Sequence, residues 1–143
     1  MKELEIKIKN VKTGKVPVFK HSGDACADCF ARLEHPVEIV PGGRKKIPLG
    51  FCIQLPSTYE AQVRPRSGLS LQGVDVCFGT VDENYRGEVC AMVCNNSGES
   101  ITVEDGMRIA QLAIRRTTII SFFKCLHLND TNRGSNGFGS TGV

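Results

Sequence analysis

Apolar and polar residues alternate with a period of two along most of this chain, which is the signature of half-buried β-strands rather than of helices. Leu4, Ile6 and Ile8 line one face of a first strand, and Val37 and Ile39 begin another that ends at Val40-Pro41-Gly42-Gly43. Pro followed by Gly at the central positions is type II turn chemistry. Phe51, Ile53 and Leu55 alternate up to Pro56, and Tyr59, Ala61 and Val63 up to Pro65. Val89, Ala91 and Val93 lead into Asn95-Asn96-Ser97-Gly98-Glu99, which reads as a hairpin loop from which Ile101 and Val103 return. Farther on, Ile109, Gln111 and Ala113 alternate with Ala110, Leu112 and Ile114, so one strand face carries a polar glutamine. Ile119 to Leu128 is read as the last apolar strand segment, and Leu69–Gln72 suits a short helix. Short strands with turn signals roughly every eight to twelve residues, and no internal repeat, predict an all-β sandwich or barrel.

The run from Asn129 breaks the pattern: it is polar, glycine-rich and carries one aromatic, Phe138. It cannot build a core element, so the expected division is a β-barrel over 1–128 and a flexible tail over 129–143 that orders on a ligand.

A chain of 143 residues makes one domain, and 41% apolar with 23% charged residues is an ordinary globular composition. A net charge of +3 with few aromatics lacks the basic stripe of a nucleic-acid binder, and no run approaches transmembrane length. Eight of the nine lysines lie at or before Lys46, whereas seven of the nine arginines follow it, concentrating bidentate anion recognition in the later part of the chain. The seven cysteines, an odd number scattered through apolar runs, read as reduced and mostly buried thiols. With Met1–Asn10 alternating rather than forming a leader, the expectation is an intracellular, cytoplasmic protein. Cys26-Ala-Asp-Cys29 is half of a zinc pattern, without a second Cys-x-x-Cys to complete it.

Three polar stretches carry chemistry. Gly79-Thr80-Val81-Asp82-Glu83-Asn84-Tyr85-Arg86-Gly87-Glu88, between strand-like runs at 74–76 and 89–93, reads as a hairpin arm presenting carboxylates, a tyrosine and an arginine. Arg64-Pro65-Arg66-Ser67-Gly68 and the tail from Arg133 to Gly142 add guanidinium forks, hydroxyls and glycine N–H groups. Together they suit a polyphosphate ligand.

These stretches resemble the five ordered motifs of the homotrimeric dUTPases. The first is similar to Asp24–Ala31, the second to Pro65-Arg66-Ser67-Gly68, the third to the 79–88 hairpin, the fourth to Arg108–Leu112, and the fifth to Gly137–Gly142 headed by Arg133. The resemblance implies a jelly-roll-like distorted β-barrel, and a trimer whose active sites are shared between subunits: motif three from one, motifs one, two and four from another, the tail from the third. It further implies Mg2+-dependent hydrolysis of dUTP to dUMP and pyrophosphate, which supplies dUMP and keeps uracil out of DNA, with no nucleic-acid or membrane partner.

By the same resemblance Asp82, rather than Glu83, is the general base that activates water for attack on the α-phosphorus. Tyr85 packs on the deoxyribose and excludes a 2′-hydroxyl. The main chain of Gly79, Thr80, Val81 and Cys90 reads uracil. Arg66, Ser67, Gly68 and Gln111 bind phosphates, Arg133, Gly139, Ser140 and Thr141 clamp them, and Phe138 stacks over the base. Asp28 holds the metal through its water shell. The chain departs from the family at Asn84, where a second aspartate is common, and at Cys26 and Cys29, where glycine and leucine are common. Two alternatives share the fold: a dCTP deaminase, which uses a glutamate at the base and lacks this tail, and a nucleotide-responsive regulatory protein.

Overall fold

Strands form where the alternation is cleanest. In the computed structural model, which describes residues 3–142, they are β1 (Lys7–Asn10), β2 (Ala27–Phe30), β3 (Val37–Ile39), β4 (Arg44–Pro48), β5 (Phe51–Gln54), β6 (Tyr59–Arg64), β7 (Val74–Cys77), β8 (Gly79–Val81), β9 (Cys90–Asn95), β10 (Ile101–Val103) and β11 (Arg108–Arg116). One helical turn, α1 (Ser67–Ser70), lies two residues earlier than expected. The strands pair antiparallel in the orders β2-β11-β6-β8, β4-β9-β7, β1-β5 and β10-β3. A single apolar cluster joins them, with Ile39, Ile47, Phe51, Ala61, Val93, Val103 and Ile109 all fully or almost fully buried. This is the all-β, jelly-roll-like arrangement that the period-two pattern and the resemblance lead to.

Several local readings hold. Gly42 has φ +74° and the Gly43 N–H donates to the Val40 carbonyl at 2.8 Å, closing the turn after β3. Phe51, Ile53 and Leu55 face inward, as do Val89, Ala91 and Val93. In β11 the register shifts between Arg108 and Ala110. This irregularity buries Ile109 and Ala110 together while leaving Arg108 in solvent beside β2.

Other readings need correction. The first strand begins at Lys7, leaving Leu4 and Ile6 outside it. Asn95–Glu99 is not a hairpin loop: β9 pairs with β4 and β7, whereas Ile101–Val103 crosses to β3. The cause is Asn95, the one buried polar side chain among the described residues. Its amide donates to the Ile39 and Glu99 carbonyls at 2.8 and 2.7 Å, and its Oδ1 accepts from the Ser97 N–H and hydroxyl. Those bonds turn the chain out of one sheet and into the other.

Ile119–Leu128 forms no strand, and Ile119, Phe122, Phe123, Leu126 and Leu128 are each at least 85% exposed. The preceding strand β11 already has β2 and β6 on its two edges, so the arm cannot simply fold back beside it. The thiols are also less buried than expected. Cys29 alone is fully buried, while Cys77 and Cys125 are exposed and the other four are intermediate. Cys77 and Cys94 lie on the outer face of the β7–β9 ladder and Cys125 on the exposed arm.

Candidate functional site

Strand register builds the first half of the site. Gln111 of β11 lies opposite Asp28 of β2 on one side and Arg64 of β6 on the other, so three residues distant in sequence share one row across the sheet. Beyond Arg64 the chain leaves β6 through Pro65, whose carbonyl accepts from Gln111 Nε2 at 2.8 Å. Asp28 holds two guanidinium groups, with Arg66 Nε 3.3 Å from Oδ1 and Arg108 Nη1 3.1 Å from Oδ2. Arg66 also donates to the Arg108 carbonyl at 2.8 Å. Ser67 and Gly68 open α1, where no side chain caps the first turn.

A two-way backbone bridge between Val18 and Asp28 brings Lys20 and His21 to the same recess. The recess is therefore lined by Lys20, Arg66 and Arg108 against Asp24 and Asp28, a cationic surplus with hydroxyl and amide donors beside it. That is anion-binding chemistry, and a phosphate chain can draw both arginines from the single carboxylate that now holds them.

The second half lies between two sheets. β7 and β9 pair from Val74–Asn95 to Cys77–Met92, and between them the chain peels away so that Gly79–Val81 joins β6 as β8. β8 is the last strand of its sheet, so one of its backbone edges is unpaired. At Cys90 the β7 side of β9 is likewise open, because that ladder stops at Met92. Gly79, Thr80, Val81, Asp82, Tyr85 and Cys90 line a cavity of about 600 Å³ between these free edges. Its size is that of a small-molecule site.

The hairpin tip is braced from within. The Tyr85 N–H donates to the Asp82 carbonyl at 3.1 Å, Arg86 Nη1 donates to the Glu83 carbonyl at 2.7 Å, and the Tyr85 hydroxyl donates to the Glu88 carbonyl at 3.2 Å. The Tyr85 ring lies so close over Gly87 that a Cβ there would sit 2.3 Å from the phenolic oxygen. The two adjacent acids differ: Glu83 accepts the Thr58 N–H at 2.8 Å, whereas the exposed Asp82 carboxylate has no hydrogen-bond or ion-pair partner among the described residues. Asn84 contributes no side-chain hydrogen bond to the brace.

Sequence reasoning missed Arg32. Its Nε and Nη2 reach both oxygens of Glu88 at 2.7 and 2.9 Å, and the Gly50 N–H adds a third bond at 3.0 Å. Gly50, at φ +79° and packed directly on the backbone of Gly14, has no room for a side chain. This clamp ties the end of the hairpin to the barrel wall inside the cavity. Nothing local in sequence marks a pair 56 residues apart. Hydrogen bonding to Arg32 holds the Glu88 carboxyl below its ordinary value of 4.5. The stabilisation it gives is thus complete above the ordinary glutamate range and is lost as the pH falls through the lower folded value. With the two side chains 14% and 22% exposed, Glu88→Gln is expected to cost roughly 1–2 kcal/mol at neutral pH. Urea titrations across pH should show the gap from the parent closing on the acid side; a gap that persists there contradicts the clamp.

The tail remains apart from both halves. Arg133 donates to the Asn136 carbonyl at 3.0 Å, and 137–142 fold into turns bonded only to themselves. Arg133, Phe138, Gly139, Ser140 and Thr141 line a concavity made solely of tail residues, and the Phe138 ring is fully exposed. Within one chain, then, motifs one, two and four converge, while motif three and the tail each stand separately.

No group of three or more metal-binding side chains occurs among the described residues. At Cys26-x-x-Cys29, burial pushes the Cys29 thiol up to about 12, far from a metal-binding thiolate. Asp28 is a single carboxylate, and Asp24 is engaged by the His21 N–H at 2.8 Å. This donor set cannot enclose a hard cation, but it can face the water shell of one carried by a ligand.

The sequence model of the family described as dUTPase matches residues 12–142. The chain is 46% identical over 131 residues to the deoxyuridine 5'-triphosphate nucleotidohydrolase of Clostridium novyi, covering 90% of this chain and 91% of the other. It is 42% identical to the protein of that name from Alkaliphilus metalliredigens, covering 96% and 97%. Among solved structures, a point mutant of the Staphylococcus bacteriophage 80alpha dUTPase with dUpNHpp superposes with a TM-score of 0.89 at 22% identity, over 97% of this chain and 99% of that one. A point mutant of the dUTPase from phage phi11 of S. aureus, described with a structural Mg(II) ion, superposes with a TM-score of 0.79 at 18% identity, over 87% and 98%.

Proposed function

Since the chain belongs to the dUTPase family and hydrolyses dUTP to dUMP and pyrophosphate, we propose that it does so in a site completed between copies of the chain, with Asp82 as the base. The observation that carries this reading is the cavity between the free edges of β8 and β9, with Asp82 and Tyr85 at its mouth. Uracil enters as a further strand would, its donors and acceptors met by the main chain of Gly79–Val81 and Cys90. Cytosine presents the reversed pattern and leaves buried groups unpaired, which is a strong basis for rejection. Tyr85 closes on the deoxyribose and leaves no space for a 2′-hydroxyl.

Asp82 takes the proton of a water aligned with the α-phosphorus. The new P–O bond forms as the bond to the bridging oxygen breaks, and pyrophosphate leaves. The recess at Arg66, Ser67, Gly68 and Gln111 meets the phosphates and offsets the charge that grows on the departing oxygen. Asp28 would hold Mg2+ through the metal's water shell, and the metal, arriving with the nucleotide, would supply neutralisation of phosphate charge. Arg133, Gly139, Ser140 and Thr141 close over the phosphates, with Phe138 over the base.

Two features support a homotrimer. The uracil cavity and the phosphate recess are separate places on one chain, and the exposed apolar arm over 119–128 offers a surface for another copy to cover. No helix among the described residues is long and apolar enough to cross a membrane. An intracellular, cytoplasmic location is supported by seven cysteines that all stand free. The test is pyrophosphate release from dUTP beside dCTP, dTTP and UTP, with and without Mg2+. Rapid turnover of dUTP alone is expected, whereas ammonia release from dCTP would overturn the assignment.

A further inference from the structure

We propose that Cys77 and Cys94 form a dithiol site that closes reversibly to a disulfide, pinning the root of the uracil-reading hairpin. In the β7–β9 ladder Cys77 lies opposite Met92 and Cys94 opposite Asp75, making the two cysteines diagonal neighbours on one face. Their sulfurs are 3.2 Å apart. A bond length of about 2.05 Å requires them to approach by roughly 1.1 Å. Cys77 is the last residue of β7, beyond which the ladder is open, so that movement disturbs no further strand pairing. Cys77 is also exposed, giving a small oxidant access to it.

The neighbourhood assigns the order of events. Arg44 of β4 lies opposite Cys94 on one side and Asp75 on the other, so the two charges offset one another. Hydrogen bonding to Cys77 holds the Cys94 thiol up, and the sulfur that an oxidant in solution reaches first is that of the exposed Cys77. Its thiolate attacks one sulfur of an oxidised low-molecular-weight disulfide such as glutathione disulfide, breaking that S–S bond and releasing one thiolate, which takes up a proton. Cys94 then gives up its proton and displaces the second glutathione from Cys77. Two protein thiols are oxidised and one disulfide is reduced to two thiols, so atoms and electrons balance.

The experiment equilibrates the full chain across a series of reduced-to-oxidised glutathione ratios, traps free thiols with N-ethylmaleimide and maps the peptides by mass. The expected result is one species in which Cys77 and Cys94 lose alkylation together and appear as a linked peptide lighter by two hydrogens, reversed by dithiothreitol. In Cys94→Ser the reaction should stop at Cys77 as a mixed disulfide with glutathione. Full and independent alkylation of both cysteines at the most oxidising ratio overturns the proposal. Glutathione carried on each separately, or linkage of either to another cysteine, overturns it equally.

Discussion

Asp82→Asn is expected to bind nucleotide as tightly as the parent chain while turnover falls by roughly 10²–10⁴-fold, the usual worth of a positioned general base. Asparagine keeps the size of the side chain and can still touch the attacking water, but it cannot accept its proton. The neighbouring acid offers no rescue, because Glu83 is bound to the Thr58 amide, which lies at φ +67° and is held from that side. Asp82 by contrast follows β8 directly, so the ladder with β6 aims it while its carboxylate stays unpartnered. Calorimetric titration with a non-hydrolysable dUTP analogue measures the binding, and single-turnover pyrophosphate release measures the chemistry. An unchanged single-turnover rate would remove Asp82 from the role and leave water activation to the phosphates themselves.

What could be read from the sequence follows the range of the interactions involved. The strands over 37–39, 51–54, 59–64 and 90–95 were legible because burial on a pleated surface is a local alternation, and the turn at Pro41-Gly42 because its φ is set by residue type. Asn95 shows the limit. As sequence, Asn95–Glu99 is good turn chemistry, but whether the chain returns beside β9 or crosses to β3 depends on where the buried amide finds acceptors, and one of these is Ile39, far away in sequence. Ile119–Leu128 failed for the opposite reason. Its apolar residues announce burial, but β11 already carries a strand on each edge and the arm stays exposed on this chain.

The site divides in the same way. The hairpin and the Arg66-Ser67-Gly68 turn are contiguous and visible, and family resemblance extends them to Gln111 and the tail. The Arg32–Glu88 clamp and the approach of Lys20 to Asp28 arise only from register and from the Val18–Asp28 bridge, and they leave no periodic or compositional trace.

Removing residues 129–143 is expected to leave an assembled barrel of unchanged thermal stability with kcat/KM for dUTP reduced by at least about 10²-fold, the scale of losing preorganised charge stabilisation. The stability half of the expectation follows from the contacts. The hydrogen bonds of Arg133, Gly134, Asn136, Ser140 and Gly142 all end within the tail, so deletion takes no partner from any strand. The activity half follows from what the barrel lacks. Its phosphate recess is open to solvent on one side, and the tail carries cationic and hydroxyl groups suited to the outer phosphates together with the fully exposed ring of Phe138. Closing them over the ligand excludes water and strengthens each interaction at the moment charge develops. Keeping 117–128 in the truncated chain separates the two roles, since the exposed apolar arm is the segment proposed to pack against a second copy. Light scattering and thermal unfolding of the truncated chain, beside its kinetics, decide between them: a chain that no longer assembles makes the tail a structural element, whereas an intact assembly with slow turnover makes it the lid of a site that no single copy completes.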